Sequence, residues 1–352
     1  MKYTIEISIA GCSTNCAHCY VDGGFAPYMS FENYKICIEK LKPLLKFLGN
    51  SASVTLGNEL FCNPYIDEIL EYNITQLGDH FSYSSYYVPT TGIALLARKD
   101  KEKILDMLKK CRAKGFMLAL HGDEGVHNSI VNNSIAYKKL FETEKFVSKY
   151  GFDVLFNIIV SKKLLNNFEK TLSCVQETQK SARLTVPVFV PTNRMRKYQS
   201  IRADVSDCLE IAKISDRIGI DTLNLIKHCN EHTELAVKDL ICSGKYDYLK
   251  DKENSPKWVF VNVTRDLNVY YGNVGAHTEY IGNLKELSEA QLIDSICKLS
   301  SNYDYTSYFS DETFLKIDGL IHSVNADDKV YPSVPDCLYS LLDKSGVKNL
   351  II

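Results

Sequence analysis

The chain is 352 residues long, 45% hydrophobic and 24% charged, with a formal net charge of −2. Its 41 basic residues against 43 acidic ones leave no bulk charge to hold a nucleic acid or an acidic membrane surface. No apolar run approaches the length of a membrane span and no secretory or lipidation motif opens the chain, so a cytoplasmic protein without nucleic-acid or membrane partners is expected.

In chain order, strand-like apolar runs are expected over residues 3–9, 53–56, 82–88, 116–120, 153–160, 184–190 and 222–226. Segments of helical period lie between them, roughly 31–48, 65–73, 101–114, 135–150, 164–179 and 205–218. The clearest repeats Tyr34, Ile38, Leu41, Leu45 and Leu48 behind Ser30 as N-cap, with Pro43 expected to kink that helix or end it early. Strands alternating with helices imply parallel pairing through right-handed crossovers, hence a full or partial β/α barrel; pattern alone leaves a doubly wound sheet open. The rhythm breaks after His232. Residues 258–269 read as a hairpin turning at Arg265–Asp266, followed by Gly282-Asn283-Leu284 and mainly helical sequence.

Twelve cysteines are many for a compartment that disfavours disulfides, so they read as metal ligands, reactive thiols or small core residues. Nine are scattered singly, whereas Cys12, Cys16 and Cys19 fall in one short stretch after the first strand. Thiolates spaced C-x3-C-x2-C can wrap one side of an iron–sulfur cubane, and three ligands leave its fourth iron open to a small molecule. The rivals are a zinc site, which wants four ligands, usually from two separated pairs, and three incidental buried cysteines.

C-x3-C-x2-C directly after the first strand of a β/α series resembles the radical S-adenosylmethionine (radical SAM) superfamily. The resemblance implies a [4Fe–4S] cluster on Cys12, Cys16 and Cys19 that chelates SAM at its open iron. His18 stands where relatives often carry another aromatic. Gly57-Asn58-Glu59-Leu60 looks like the family's GGEP motif, which receives the SAM amino group, with Asn58 for the second Gly and Leu60 for the Pro. A Gly permits close backbone approach and a carboxylate complements an ammonium. Thr90-Thr91-Gly92 and Leu118-Ala119-Leu120-His121-Gly122, with His127 nearby, are similar to the family's third and fourth strand endings. By the same resemblance Asn157 would contact the SAM ribose, and Arg194 would reach the SAM carboxylate or a substrate acid. Their bland readings are a satisfied core amide for Asn157, a core histidine for His121 and a surface charge for Arg194. His228-Cys229-x2-His232 reads as a loop leaving the barrel, with metal binding as the sharper alternative. Cys229 is also a candidate hydrogen-atom donor by analogy with relatives that epimerise amino acids.

Residues 261–284 resemble the hairpin and Gly-Asn-Leu portion of a SPASM or twitch extension. Tyr271 and Gly272 stand near its usual first ligand, and Cys229, Cys242, Cys297 and Cys337 are too dispersed to form a set. The expectation is therefore an α/β chain: a partial (β/α)6 TIM-like barrel over residues 1–232 and a smaller α+β cap without auxiliary cluster over 233–352. No N-terminal peptide-binding domain is expected, so leader recognition would need a separate protein. The implied activity is reductive SAM cleavage and hydrogen abstraction from a peptide or a small biosynthetic substrate, with a flavodoxin- or ferredoxin-type electron donor. A non-catalytic iron–sulfur redox protein and a zinc-binding barrel hydrolase are the alternatives.

Overall fold

In the computed structural model, residues 2–19, 23–24, 27–81, 87–190, 193–217, 219–244, 258–272, 279–301, 317 and 319–346 are described. The first strand, β1 (Lys2–Ser8), shows how the barrel is made. Ile5 and Ile7, with Ile9 just beyond, are fully buried in the core that also holds Tyr34, Ile38 and Leu41, whereas Thr4 and Glu6 on the other face line an internal cavity. Helix Phe31–Leu48 covers the outer face, capped by Ser30, whose Oγ accepts from Asn33 N at 3.1 Å. It runs on past Pro43 instead of ending there, because buried Leu41, Leu44 and Leu45 anchor it on both sides of the proline.

Six parallel strands follow one another around the lumen. β1 pairs with β2 (Ala52–Gly57), and β3 (Tyr87–Thr90), β4 (Gly115–Leu120), β5 (Asp153–Ile159) and β6 (Ser181–Thr185) form a second ladder in sequential order. Sequential order is that of a barrel rather than a doubly wound sheet. The sheet does not close. Between β2 and β3 the described residues make only a parallel bridge, Val54 to Phe81, and β3 carries Pro89, which has no N–H and suits an edge strand. The expected (β/α)6 partial barrel is the fold observed.

Two expectations are corrected locally, and a third lies partly outside the described residues. The sixth strand lies at Ser181–Thr185, ahead of the expected 184–190. Residues 222–226 open a helix, Leu223–Glu231, in which Asp221 Oδ1 accepts from Leu223 N at 3.0 Å and only Leu225 and Cys229 are buried. Of the expected third strand, residues 82–86 lie outside the described residues.

Beyond the barrel, β7 (Trp258–Val263) runs parallel to β1 on its free edge and begins an antiparallel meander with β8 (Asn268–Tyr271) and β9 (Glu279–Asn283). The C-terminal hairpin thus continues the barrel sheet and covers an edge that would otherwise be exposed.

Two glycines separate steric need from convenience. A Cβ on Gly115 would lie 2.1 Å from the Asp153 carbonyl oxygen, whereas one on Gly125, in helix Glu124–Val131, meets nothing closer than 3.8 Å. Gly115→Ala is expected to cost about 3 kcal/mol in urea unfolding, because the β4–β5 ladder must move. Gly125→Ala should instead gain up to about 1 kcal/mol.

Candidate active site

The loop carrying the three cysteines leaves β1 at Ile9 and rejoins regular structure at Met29, whose N–H donates to the Ile9 carbonyl at 2.8 Å. Asn63, fully buried after β2, closes this base. Its Nδ2 donates to the carbonyls of Ile9 (2.8 Å) and Met29 (3.0 Å), and its Oδ1 accepts from Tyr65 N (2.9 Å). Within the loop, Thr14 Oγ1 lies 3.0 Å from Cys12 Sγ and 3.4 Å from Cys16 Sγ, and Gly23 N donates to Cys19 Sγ at 2.9 Å. Arg194 donates to the Gly23 carbonyl, so it braces the segment behind Cys19. Burial pushes the Cys12 thiol up and Cys16 up to about 12; their own charge is disfavoured until a cation arrives.

The neighbouring strand ends present a fixed carboxylate. Glu59 is 4% exposed. Its Oε1 accepts from Thr90 Oγ1 (2.7 Å), and its Oε2 from Thr91 N (2.7 Å) and Thr91 Oγ1 (3.0 Å). Burial raises its pKa and these three donors oppose the rise. Asn58 adopts φ 65°, a left-handed conformation that Asn tolerates better than other side chains, which explains how it can replace a glycine here. Gly92, at φ 79°, is not replaceable in this way, since a Cβ would meet Thr143 Oγ1 at 2.1 Å. At Gly57 the obstacle to a Cβ is the Glu6 carboxyl, 2.5 Å away.

Cys12, Cys16, Cys19, Gly57, Asn58, Glu59, Thr90, Thr91, His18, His121 and His127 line one cavity of about 430 Å³. His18 and His121 pack at 4.4 Å between ring centroids, and His121 and His127 at 5.4 Å. Burial lowers all three, His18 and His127 to about 4, so the imidazoles are neutral. The Nδ1 atoms of His18 and His121 are buried with no hydrogen-bond partner among the described residues. Such orphaned atoms on a cavity wall are positions for a bound molecule to fill.

No family model matches the sequence, and no curated protein does. Solved structures do. The anSMEcpe protein with bound AdoMet and a Cp18Cys peptide superposes with a TM-score of 0.55 at 14% identity, covering 98% of this chain and 97% of that one. SuiB of Streptococcus suis bound to S-adenosylmethionine gives a TM-score of 0.56 at 12% identity, covering 88% of this chain and 68% of that one. SuiB bound to its precursor peptide SuiA gives 0.56 at 12%, with 90% and 67% covered. The chain has the radical SAM fold.

Around this radical SAM fold the remaining candidates are placed unevenly. Asn157 Oδ1 accepts from Arg183 Nε (2.7 Å) and Thr185 Oγ1 (2.5 Å), so that half of its amide is satisfied within the barrel. Cys229 is buried on helix Leu223–Glu231, against the Cys208 thiol, and does not line the cavity. His228 and His232 bond each other, Nδ1 to Nδ1 at 2.8 Å. Among the described residues no three His, Cys, Asp or Glu side chains converge on a single ion. Sequence reasoning passed over four groups: Thr14, the Asn63 clamp, Glu6, and Cys62, whose thiol bonds at Ser13 beside Cys12. The available signals were a hydroxyl between two cysteines, and an acid at a lumen-facing position of an otherwise apolar strand. Asn63→Ala should leave the buried Met29 carbonyl without its donor and take one of two donors from the Ile9 carbonyl, costing about 3 kcal/mol, read as a lowered urea midpoint at unchanged slope.

Proposed function

We propose that the protein is a radical SAM enzyme, with a single [4Fe–4S] cluster held by Cys12, Cys16 and Cys19 and SAM bound between that cluster and Glu59. The observation that carries this reading is the shared cavity: three thiols on one wall and the threonine-fixed carboxylate on the neighbouring strand ends, within the radical SAM fold. The donor set favours a polynuclear group. A zinc ion takes four ligands, usually from two separated pairs, whereas three thiols from one short loop suit the corners of a cubane whose fourth iron stays open. When bound, the cluster supplies the electron that cleaves the SAM sulfonium and frees a 5′-deoxyadenosyl radical able to abstract hydrogen.

The chain's own residues bind, orient and shield. Glu59 and the backbone of Gly57 and Asn58 receive the SAM ammonium, with Thr90 and Thr91 fixing the carboxylate in advance. The orphaned nitrogens of His18 and His121 give hydrogen-bond positions to the nucleoside. Arg194 positions the loop through Gly23. Thr14 and the Gly23 N–H hold the cysteine sulfurs at their stations. The substrate is a peptide or a small biosynthetic intermediate. The peptide-bound forms of anSMEcpe and SuiB support the first. A flavodoxin- or ferredoxin-type protein supplies the electron. Residues 233–352 form a cap without a cluster of its own: Cys337 is buried, Cys242 is exposed beside His322 at 3.2 Å, and Cys297 lies on helix Glu289–Ser301.

Anaerobic reconstitution should give a brown protein with about four irons per chain. With SAM and dithionite it should release 5′-deoxyadenosine. Cys→Ala at position 12, 16 or 19 should abolish that release; its survival would overturn the assignment, and about eight irons per chain would overturn the single cluster. An iron–sulfur protein that releases no deoxyadenosine would be a redox protein instead, and a colourless, air-stable one a zinc protein.

A further inference from the structure

Glu6 takes no part in that scheme, yet it lines the same cavity. It stands on the lumen face of β1, opposite Thr55 of β2 and Asn262 of β7, with Thr4 two residues earlier on the same face. Among the described residues its carboxyl accepts no hydrogen bond and meets no cation, and burial raises its pKa. Thr4 is 4% exposed, and its hydroxyl likewise lacks a partner among the described residues. Two unsatisfied polar groups, adjacent on one strand face, are uncommon in a folded interior. They are understandable where a ligand completes them.

The surroundings select the ligand's chemistry. No Lys or Arg is among the described residues lining the cavity, which carries two carboxyls, three thiols and three neutral imidazoles. Tyr87, Met117 and Phe260 supply its apolar and aromatic wall. A carboxyl in such a low-dielectric setting pairs most favourably with a hydrogen-bonding cation, and aromatic faces add to the attraction. A metal ion would need further ligands, and no three converge. Glu59 is already committed to three donors, whereas Glu6 is uncommitted.

We propose that Glu6 and Thr4 form a substrate subsite that receives a primary ammonium group, so that the molecule acted on carries an amine. This rests on reading the cysteine–Glu59 mouth as the SAM site, which leaves Glu6 for the second occupant.

The test is calorimetry on the reconstituted protein under anaerobic conditions, with two matched probe pairs. Benzylammonium against benzyl alcohol represents a free amine; Nα-acetyl-lysine amide against Nα-acetyl-norleucine amide represents a peptide-borne one. In at least one pair the amine should bind ten-fold or more tightly than its neutral partner, and that pair names the source. Glu6→Gln should erase the difference while leaving SAM affinity within two-fold, and Thr4→Val should weaken amine binding about three-fold. No discrimination in either pair, or its persistence in Glu6→Gln, overturns the subsite. A ten-fold loss of SAM affinity in Glu6→Gln also overturns it, since the carboxyl would then serve the cations of SAM. If the wild type discriminates amines but does not bind SAM, the SAM reading fails and the amine subsite stands. Should Glu6→Gln not fold, by circular dichroism, the Thr4→Val series decides.

Discussion

The site depends on one amide. Asn63 donates both hydrogens of its Nδ2 to carbonyls that lie on opposite ends of the cysteine loop, Ile9 and Met29, and does so fully buried. A loop of this length has a substantial closure entropy and little secondary structure to offset it. The clamp fixes its ends, and because Asn63 follows β2 directly, the ends are fixed relative to Gly57, Asn58 and Glu59. The cysteine loop is also tied by Ala17 N to the Ile130 carbonyl at 2.8 Å and by Arg194 to the Gly23 carbonyl. Its three thiols are therefore held against the strand ends by hydrogen bonds that the loop's own cysteines do not make.

A second buried ion organises the far side. Arg202 is fully buried and donates to the carbonyls of Pro187, Val188 and Val330, with its guanidinium 4.4 Å from the Tyr331 ring. Tyr331 in turn donates to Glu234, which also takes bonds from Ser340 and Lys344. The segment leaving β6 is thereby joined to the C-terminal helix Val334–Lys344, while β7 is joined to β1. The C-terminal third holds the open barrel at both of its edges, so that a sheet that does not close still buries two carboxyls in its lumen. Arg202 and Glu234 are each paired or multiply hydrogen-bonded, as burial requires.

What could be read in the sequence follows from how local each signal is. Alternating Ile5, Ile7 and Ile9, the Ser30 cap and the Tyr34–Leu48 stripe depend on neighbours in the chain, and the barrel's strand–helix rhythm was legible from them. The cysteine spacing was legible for the same reason. Residues 222–226 misled because Leu-Asn-Leu-Ile alternates like a strand, whereas Asp221 Oδ1 accepts from Leu223 N at the start of a helix whose buried residues, Leu225 and Cys229, lie one turn apart. Asn58 looked like a departure from a glycine motif, and only its φ of 65° shows that the conformation is kept. The Asn63 clamp joins residues far apart in sequence, and no spacing rule encodes it. Glu6 was visible as a letter in an apolar strand, but its isolation is a property of the assembled cavity.

The electrostatics of that cavity tie these features together. Burial raises the Cys12 and Cys16 thiols and both carboxyls and lowers the three imidazoles, so the lining disfavours charge of its own. The thiols and carboxyls lining it gain a counter-charge when something positive enters: thiols release their protons to solvent on binding a metal, and an ammonium alongside favours the ionised form of a carboxyl. The two carboxyls differ only in preparation. Glu59 is pinned by Thr90 and Thr91 and offers a fixed geometry, suited to a partner that always presents the same group in the same place. Glu6 accepts no hydrogen bond among the described residues, which leaves it for the second partner of the proposed reaction.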